Sequence, residues 1–335
     1  MSRALTVVVP ARSGAGALRR LLTEVDRQAR PGPALPVVVS DDASRQPLEW
    51  LLEVDAYPGL ALAVVRSDVN RGPGAARNRG LEAVETPWAA FLDADEEPAP
   101  GWLARAEALA ADPASAPVIE GAIDDGGVAA SIFTHAGTLA GGSHLSGNLL
   151  VRSDVLRAAG GFDERFYDAR LRLHFREDAE LLFRLEAAGH AIRRDESLLV
   201  RHPPHSAALT APLRDACRYH FDPLLARLHG ERFRAFNARR RIGPISLRRA
   251  RHLAAVAHVA GVVLAFATRG QGRTGAAAVA LGAGGWAATA VALSWGRRVP
   301  PREVPPLAVI ALAVPWVYTG FYYAGVVRFR HLPRL

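Results

Sequence analysis

The sequence has 335 residues, half of them hydrophobic and 22% charged, with a formal net charge of +8 at pH 7. That excludes a disordered chain and leaves ample apolar material for a core, in two domains or in one large domain with an appendage. One cysteine, Cys217, excludes a disulfide framework within the chain and any multi-cysteine zinc knuckle. There is no lysine, so all 41 basic residues are arginine, and the positive balance points to an anionic partner: nucleic acid, membrane surface or a phosphorylated substrate. The apolar run over residues 4–9 stops at Pro10 and Arg12 with no basic stretch before it, so no cleavable signal peptide is expected.

Residues 1–205 alternate short apolar runs with helical patterns. Leu5–Val9, Val37–Ser40, Ala61–Val65 and Trp88–Leu92 read as buried strands, and 14–29, 45–55 and 73–85 as helices. Such alternation predicts an α/β domain with a mostly parallel, Rossmann-like sheet covered on both faces. Ligands of these sheets bind outside the carboxyl ends of the strands. Polar clusters fall at those ends: Pro10-Ala11-Arg12 after the first strand, Asp41-Asp42 after the second, Asp93-Ala94-Asp95 after the fourth. Three loops distant in sequence are thereby expected along one crevice.

Residues 206–251 differ. From Arg227 to Arg251 there are nine arginines against one acid, Glu231, interleaved with Leu, Phe and Ile. A solvated helix face, an interfacial segment on anionic lipid and a nucleic-acid surface are the three readings. The apolar segments beyond Arg251 favour the anionic membrane surface over nucleic acid, and no nucleic-acid partner is expected. Residues 275–295 and 304–327 hold no charged residue, and each is long enough as a helix to cross roughly 30 Å of hydrocarbon. Trp316, Tyr318, Tyr322 and Tyr323 sit toward one end of the second, as in an aromatic belt. Gly282, Gly284 and Gly285 in the first suit close helix packing. A shorter apolar run, 252–268, is marginal for spanning. Three regions are expected: 1–205, 206–251 and 252–335, the last with two or three membrane helices. The arginine-dense segment places the first region in the cytoplasm by the positive-inside rule. Three spans leave Arg328, Arg330 and Arg334 outside, and two leave Arg297, Arg298 and Arg302 outside, so the rule does not choose between them.

The chemistry-bearing residues begin with Asp93 and Asp95, two carboxylates at the exit of a buried strand. They repel unless a cation or donors compensate, and Mg²⁺ is typically held by one or two carboxylates plus substrate phosphates. Glu96 and Glu97 read as solvated or helix-start residues. Asp41-Asp42-Ala43-Ser44 reads either as a helix cap or as a carboxylate contact to a base or ribose. Asn70 to Gly80, NRGPGAARNRG, is a glycine-rich loop entering a helix, whose amides and arginines suit a diphosphate.

Taken together, VVVPAR, VSDDAS, NRGPGAARNRG and FLDADEEP in this order resemble the inverting family 2 glycosyltransferases of GT-A fold. Gly147 to Arg152 (GNLLVR), Gly160 to Glu164 (GGFDE), and Glu177-Asp178-Ala179-Glu180-Leu181 with Arg184 extend the resemblance over residues 4–205. It implies a nucleotide-sugar donor, a Mg²⁺ or Mn²⁺ cofactor and transfer to an acceptor hydroxyl. Residue by residue, it implies that Pro10 and Ala11, with Arg12 beside them, line the base and ribose pocket. Asp41 or Asp42 contacts the nucleobase, Arg77 faces the diphosphate, and Asp93 touches ribose or donor sugar. Asp95, with Asp93, binds the metal. Gly147 and Asn148 lie on the acceptor side, and Asp178, beside Glu177, is the catalytic base. A carboxylate in hydrogen-bond reach can take the proton that an attacking hydroxyl loses, and a neighbouring acid in a low-dielectric cleft raises its pKa. Alone, Glu177-Asp178 also reads as a helix-start pair favoured by the macrodipole. His202 is a candidate metal ligand and His205 a weaker one; both flank a Pro-Pro turn that also reads as a plain loop. His135 and His144 carry no assignment. Two departures are Arg12, where relatives have a small or amide residue, and Ala43, where glycine is usual.

The apolar carboxyl-terminal third implies a membrane lipid or lipid-linked acceptor. No Q-x-x-R-W motif comes after Asp178, so transfer of one sugar is expected. A nucleotidyltransferase of similar fold needs a triphosphate loop near the start, where residues 10–17 offer only Arg12 and no G-x-G-x-x-G. A non-catalytic membrane scaffold that keeps the fold is the competing class outside enzymes.

Overall fold

The computed structural model describes residues 3–30, 32–53, 56–124, 134–135, 146–203, 205–206, 208, 210–239, 241–242, 245–294 and 299–334. In chain order its elements are β1 (Leu5–Ala11), α1 (Ala15–Ala29), β2 (Leu35–Asp42), β3 (Leu60–Ser67), α2 (Gly72–Glu82), β4 (Trp88–Leu92), β5 (Glu97–Pro98), α3 (Trp102–Ala111), β6 (Val118–Asp124), β7 (Thr134–His135), β8 (Asn148–Arg152) and α4 (Ser153–Ala158). Next come β9 (Tyr167–Asp168), β10 (Leu173–His174), α5 (Glu177–Ala187), β11 (Ile192–Arg201), β12 (His205–Ser206), α6 (Ala211–Arg218), α7 (Asp222–Leu228) and α8 (Gly230–Ala238). The last elements are β13 (Arg241–Ile242), β14 (Ile245–Ser246), α9 (Leu247–Ala267), α10 (Gly272–Ser294) and α11 (Val304–Phe329). These elements form two units: Met1–Val128 with Ala136–Pro204, and Ala129–His135 with His205–Leu335.

The first unit is built on an eight-stranded sheet of order β3-β2-β1-β4-β8-β6-β11-β5. The pairs β1–β2, β2–β3, β1–β4 and β6–β11 are parallel, whereas β8 is antiparallel to both β4 and β6, and β5 to β11. The central strands are apolar because both faces are covered. Val7, Val9, Ala90 and Leu92 pack under Leu18, Leu21 and Leu22 of α1 and Leu103 and Ala106 of α3. Val8, Ala89, Phe91, Leu149 and Val151 point the other way, toward Leu81, Leu156, Phe162, Leu181 and Leu182. The predicted strands match β1 to β4, each of the first three being longer at both ends or at its carboxyl end. The helix expected over 45–55 reduces to a 3₁₀ turn, Glu49–Glu53. Its first half is held as a loop by Asp41, which accepts the N–H groups of Ser44 (2.8 Å) and Leu48 (3.3 Å). The helix expected over 73–85 ends at Glu82.

In the second unit, three helices are long and apolar enough to cross a membrane: Leu247–Ala267, Gly272–Ser294 and Pro301–Phe329. The run 252–268 is therefore no shorter than a span, because its helix starts earlier. Ser246 caps it by accepting the Arg249 N–H at 3.1 Å, which draws Arg248, Arg249 and Arg251 into its first turns. Helices α9 and α10 touch backbone to backbone: a Cβ on Gly285 would fall 2.5 Å from the His258 nitrogen. Small residues permit this approach, as expected for helix packing in lipid. The arginine-rich segment is only partly a surface. Arg248 is buried, paired with Asp222, and lies over the Tyr219 ring at 3.9 Å. Phe266, Val263, Val309 and Val327 are exposed on the apolar helices.

Candidate active site

Strand direction decides what meets at the carboxyl edge of the first unit's sheet. Strands β1, β2, β4, β6 and β11 all end there, and the reversed strand β8 begins there, with Asn148 opposite Leu92. The segment after β4 then runs across that edge to reach β5, which pairs with the end of β11. Asp95 is carried beside His202 in this way.

On the donor side, Pro10 and Ala11 close β1 against Ser40 and Asp41, and Arg12 is exposed beyond them. The Ser13 N–H donates to Ser44 Oγ (2.9 Å), tying this loop to the one after β2. Ala43, in that second loop, has φ 58°, a left-handed conformation for which a residue without Cβ is better suited. Asp41 and Asp42 are both buried and hold loops. Asp41 accepts the Ser44 and Leu48 amides and pairs with Arg66. Asp42 accepts the N–H groups of Arg71 and Gly72, each at 2.9 Å. Two amides of the glycine-rich loop, those of Arg71 and Gly72, are thus occupied by Asp42. The glycines of that loop serve packing. Gly72 has φ 86° beneath the Tyr167 ring, and a Cβ on Gly80 would enter the Val8 side chain, so α2 lies directly on β1.

That close approach brings Arg77 to the edge. Its side chain is 5% exposed and donates to Asp93 Oδ1 at 2.6 Å, while Asp93 is 39% exposed. Its guanidinium lies 5.4 Å from the centre of the Phe162 ring, and its Nε is buried without a hydrogen-bond partner. Burial opposes its charge, but Asp93, Glu177 and Asp178 together outweigh that and raise its pKa. Arg77 pairs with Asp93 after β4 and lies within electrostatic reach of the carboxylate pair that opens α5. Glu96, read from sequence as solvated or at a helix start, is instead buried and accepts the Asp93 N–H (3.0 Å). Burial, with Asp93 close by, pushes its carboxyl well above the usual range. Gly147 leaves room for this pair: a Cβ there would fall 2.6 Å from Glu96 Oε1 and 3.0 Å from Asp93 Oδ2.

Asn148 is placed differently from the acceptor-side expectation. Its Nδ2 donates to Ala122 O (2.9 Å) and Leu198 O (2.7 Å), and its Oδ1 accepts the Trp102 indole N–H (3.0 Å). It is buried and clips β8 to β6, β11 and α3, so its amide is not presented to an acceptor.

Glu177 and Asp178 open α5, after Arg176 in a left-handed conformation with φ 77°. Glu177 is buried, with Oε1 3.2 Å from His174 Nδ1. Burial raises its pKa, but the His174 hydrogen bond and the charges of His174 and Arg77 leave it lowered. Asp178 is half-buried and accepts the Ala179 N–H at 2.7 Å. Burial, followed by the Glu177 charge, pushes its carboxyl up to about 7. Adjacent carboxylates whose surroundings drive their pKa values apart are candidates for acid–base roles.

Asp95 is 54% exposed, with Oδ2 3.5 Å from Nε2 of His202, which is 17% exposed. The Asp95 hydrogen bond raises the His202 pKa. Among the described residues no three His, Cys, Asp or Glu side chains cluster to hold a metal ion. One carboxylate and one imidazole, with Asp93 nearby, suit Mg²⁺ or Mn²⁺ if substrate phosphate oxygens and water complete the shell. The residues present fit such an ion. The side chains of His205, His135 and His144 lie outside the described residues. Sequence reasoning missed His174 and the burial of Glu96. The i, i+3 spacing of His174 and Glu177 at a helix start is the signal that was there to find.

The sheet order and its polar edge are those of a GT-A-like α/β fold. Residues 6–134 match the family model described as Glycosyl transferase family 2. The chain is similar to the pre-mycofactocin glycosyltransferase of Mycobacterium tuberculosis, 34% identical over 220 residues, covering 60% of this chain and 43% of that protein. It is also similar to the succinoglycan biosynthesis protein ExoO of Rhizobium meliloti, 37% identical over 101 residues, 30% of this chain and 28% of that one. The match thus spans less than half the length of either relative. Among solved structures it resembles the mannosyltransferase PcManGT from Pyrobaculum calidifontis, in complex with GDP-Man and Mn²⁺. The TM-score is 0.51 at 19% identity, over 98% of this chain and 88% of that one, a likeness of fold.

Proposed function

We propose that the chain is a metal-dependent, inverting glycosyltransferase that moves one sugar from a nucleotide-sugar donor to a hydroxyl of a membrane-associated acceptor. The observation that carries this reading is Arg77, buried at the carboxyl edge, paired with Asp93 and within electrostatic reach of Glu177 and Asp178. One cation there joins the loop expected to hold the donor to the helix that begins with the base. Pro10, Ala11 and Arg12 and the loop after Asp42 border the nucleoside, and Asp93 faces its ribose or the sugar. Asp178 takes the proton of the acceptor hydroxyl as that oxygen attacks the anomeric carbon. The bond from that carbon to the diphosphate oxygen breaks, and the nucleoside diphosphate leaves. Attack from the opposite face inverts the anomeric centre. Asp95 and His202, with Asp93, would hold Mg²⁺ or Mn²⁺, which when bound supplies positive charge beside the diphosphate.

The three apolar helices support a protein of the cell membrane and a membrane lipid or lipid-linked acceptor. Arg232, Arg234 and Arg239 of the second unit are exposed and suit an anionic lipid surface, which favours a cytoplasmic catalytic domain. The test is detergent-purified protein with Mn²⁺ or Mg²⁺, a panel of UDP-, GDP- and dTDP-sugars and a membrane lipid extract. Metal-dependent release of nucleoside diphosphate, with radiolabel entering the lipid phase, is expected, and both are lost in Asp95→Ala. Release with no label in lipid would move the acceptor away from the membrane. Absence of release with every donor would contradict the transferase itself.

A further inference from the structure

The proposed transfer step uses Asp178 and leaves its neighbour Glu177 without an explained place. Glu177 is buried, and of its two oxygens Oε2 is enclosed without a hydrogen-bond partner while Oε1 meets His174 Nδ1. His174 ends β10, whose pairing with β9 sets it opposite Tyr167. An ionised carboxylate only accepts hydrogen bonds, so the imidazole Nδ1–H is the donor. The left-handed turn at Arg176 folds the chain so that His174 and Glu177 meet, and it places Asp178 next in line.

We propose that His174 is a positioning residue for transfer: by holding Glu177 ionised beside Asp178, it keeps Asp178 basic enough to take a proton from the acceptor hydroxyl. This role rests on the reading of Asp178 as the base. A negative charge on Glu177 disfavours a second charge on Asp178. With Glu177 made neutral by substitution, that repulsion vanishes. With His174 removed, Glu177 takes up a proton more readily, and the repulsion on Asp178 is weakened. Both changes lower the pH at which Asp178 ionises, and both make it a weaker base. The other charged groups facing the pair are Arg77 from α2 and Arg176 from the turn, with Asp93 reached through Arg77. None of these is altered by the substitutions. Gly74 of α2 lies against the apolar Cβ and Cγ of Glu177.

The experiment is kcat/KM against pH for the full-length protein and its Glu177→Gln, His174→Ala, His174→Gln and Asp178→Asn variants. In Glu177→Gln the acidic limb is expected to move down by about one pH unit or more, the scale of a close like-charge pair, and in His174→Ala it is expected to move the same way by a smaller step. His174→Gln, which keeps a neutral donor, is expected to bring the limb back toward the wild-type position. A purely structural role for His174 would change rate or stability and leave the limb in place. A limb fixed at the wild-type pH in both variants, with Asp178→Asn inactive, overturns the proposal and spares the base assignment. Wild-type transfer by Asp178→Asn overturns the base assignment instead. The His174 ring is 39% exposed, so its variants keep the test available where Glu177→Gln does not fold.

Discussion

Asn148 separates a structural from a functional reading of one motif residue. Asn148→Ala removes three hydrogen bonds at once, those to the Ala122 and Leu198 carbonyls and from the Trp102 indole. The indole N–H is left buried without an acceptor, which costs about 1–3 kcal/mol. Each carbonyl keeps a second lone pair for other partners, so each loses about 0.5–1.5 kcal/mol. Together this is roughly 2–6 kcal/mol, and at about 2–4 °C per kcal/mol for a domain near 200 residues the melting temperature falls by on the order of 5–20 °C. Asn148→Asp does at least as much damage, because it turns a carboxylate oxygen toward two carbonyl oxygens. The assay is thermal unfolding in detergent, followed by tryptophan fluorescence, beside measurement of KM for the acceptor. A variant that melts with the wild type and fails only in acceptor KM would refute the structural role and return Asn148 to the acceptor side.

Ala43 has φ 58°, so Ala43→Gly is expected to stabilise the protein by about 1 kcal/mol, read as a rise in melting temperature. As the proposed base, Asp178 would act ionised, and its carboxyl is pushed up to about 7, so transfer is expected to be lost as pH falls through that value and full above it; a rate flat from pH 5 to 9 would contradict this. The same shift has the opposite sign for folding. A group bound more tightly to its proton in the folded state contributes stability at low pH that is lost as pH rises through its folded pKa. Asp178→Asn is therefore expected to raise the melting temperature more at pH 8 than at pH 5, while abolishing transfer. Arg77→Met removes the cation that pairs with Asp93 and lies within electrostatic reach of Glu177 and Asp178. Its acidic limb is expected at higher pH than in the wild type, with weaker donor binding in equilibrium titration.

The parallel half of the sheet was legible because β1 to β4 are apolar runs with polar residues gathered at their ends. The second half was legible mainly through the family resemblance, since the antiparallel strand β8 and the register of β11 answer to contacts far along the chain. Arg77 and Asp93 pair at the sheet's carboxyl edge, with Glu177 and Asp178 within electrostatic reach of Arg77. Asn148 and Glu96 show where residue type alone misleads. A buried Asp or Asn at a strand end serves loops and neighbouring strands as readily as a ligand, and only its hydrogen bonds distinguish the two. The 45–55 helix failed for a related reason, because Asp41 takes the amides a helix start would have used. Arg248 was invisible within its basic run because its partner Asp222 lies on another helix.

The edge around Arg77 is proposed to perform glycosyl transfer with Asp178 as base. The most direct measurement is single-turnover transfer from a labelled nucleotide-sugar by the wild type and Asp178→Asn, with donor binding titrated in parallel. Equal donor binding with transfer lost in the variant is the predicted result. Transfer retained in Asp178→Asn at the wild-type rate would contradict it.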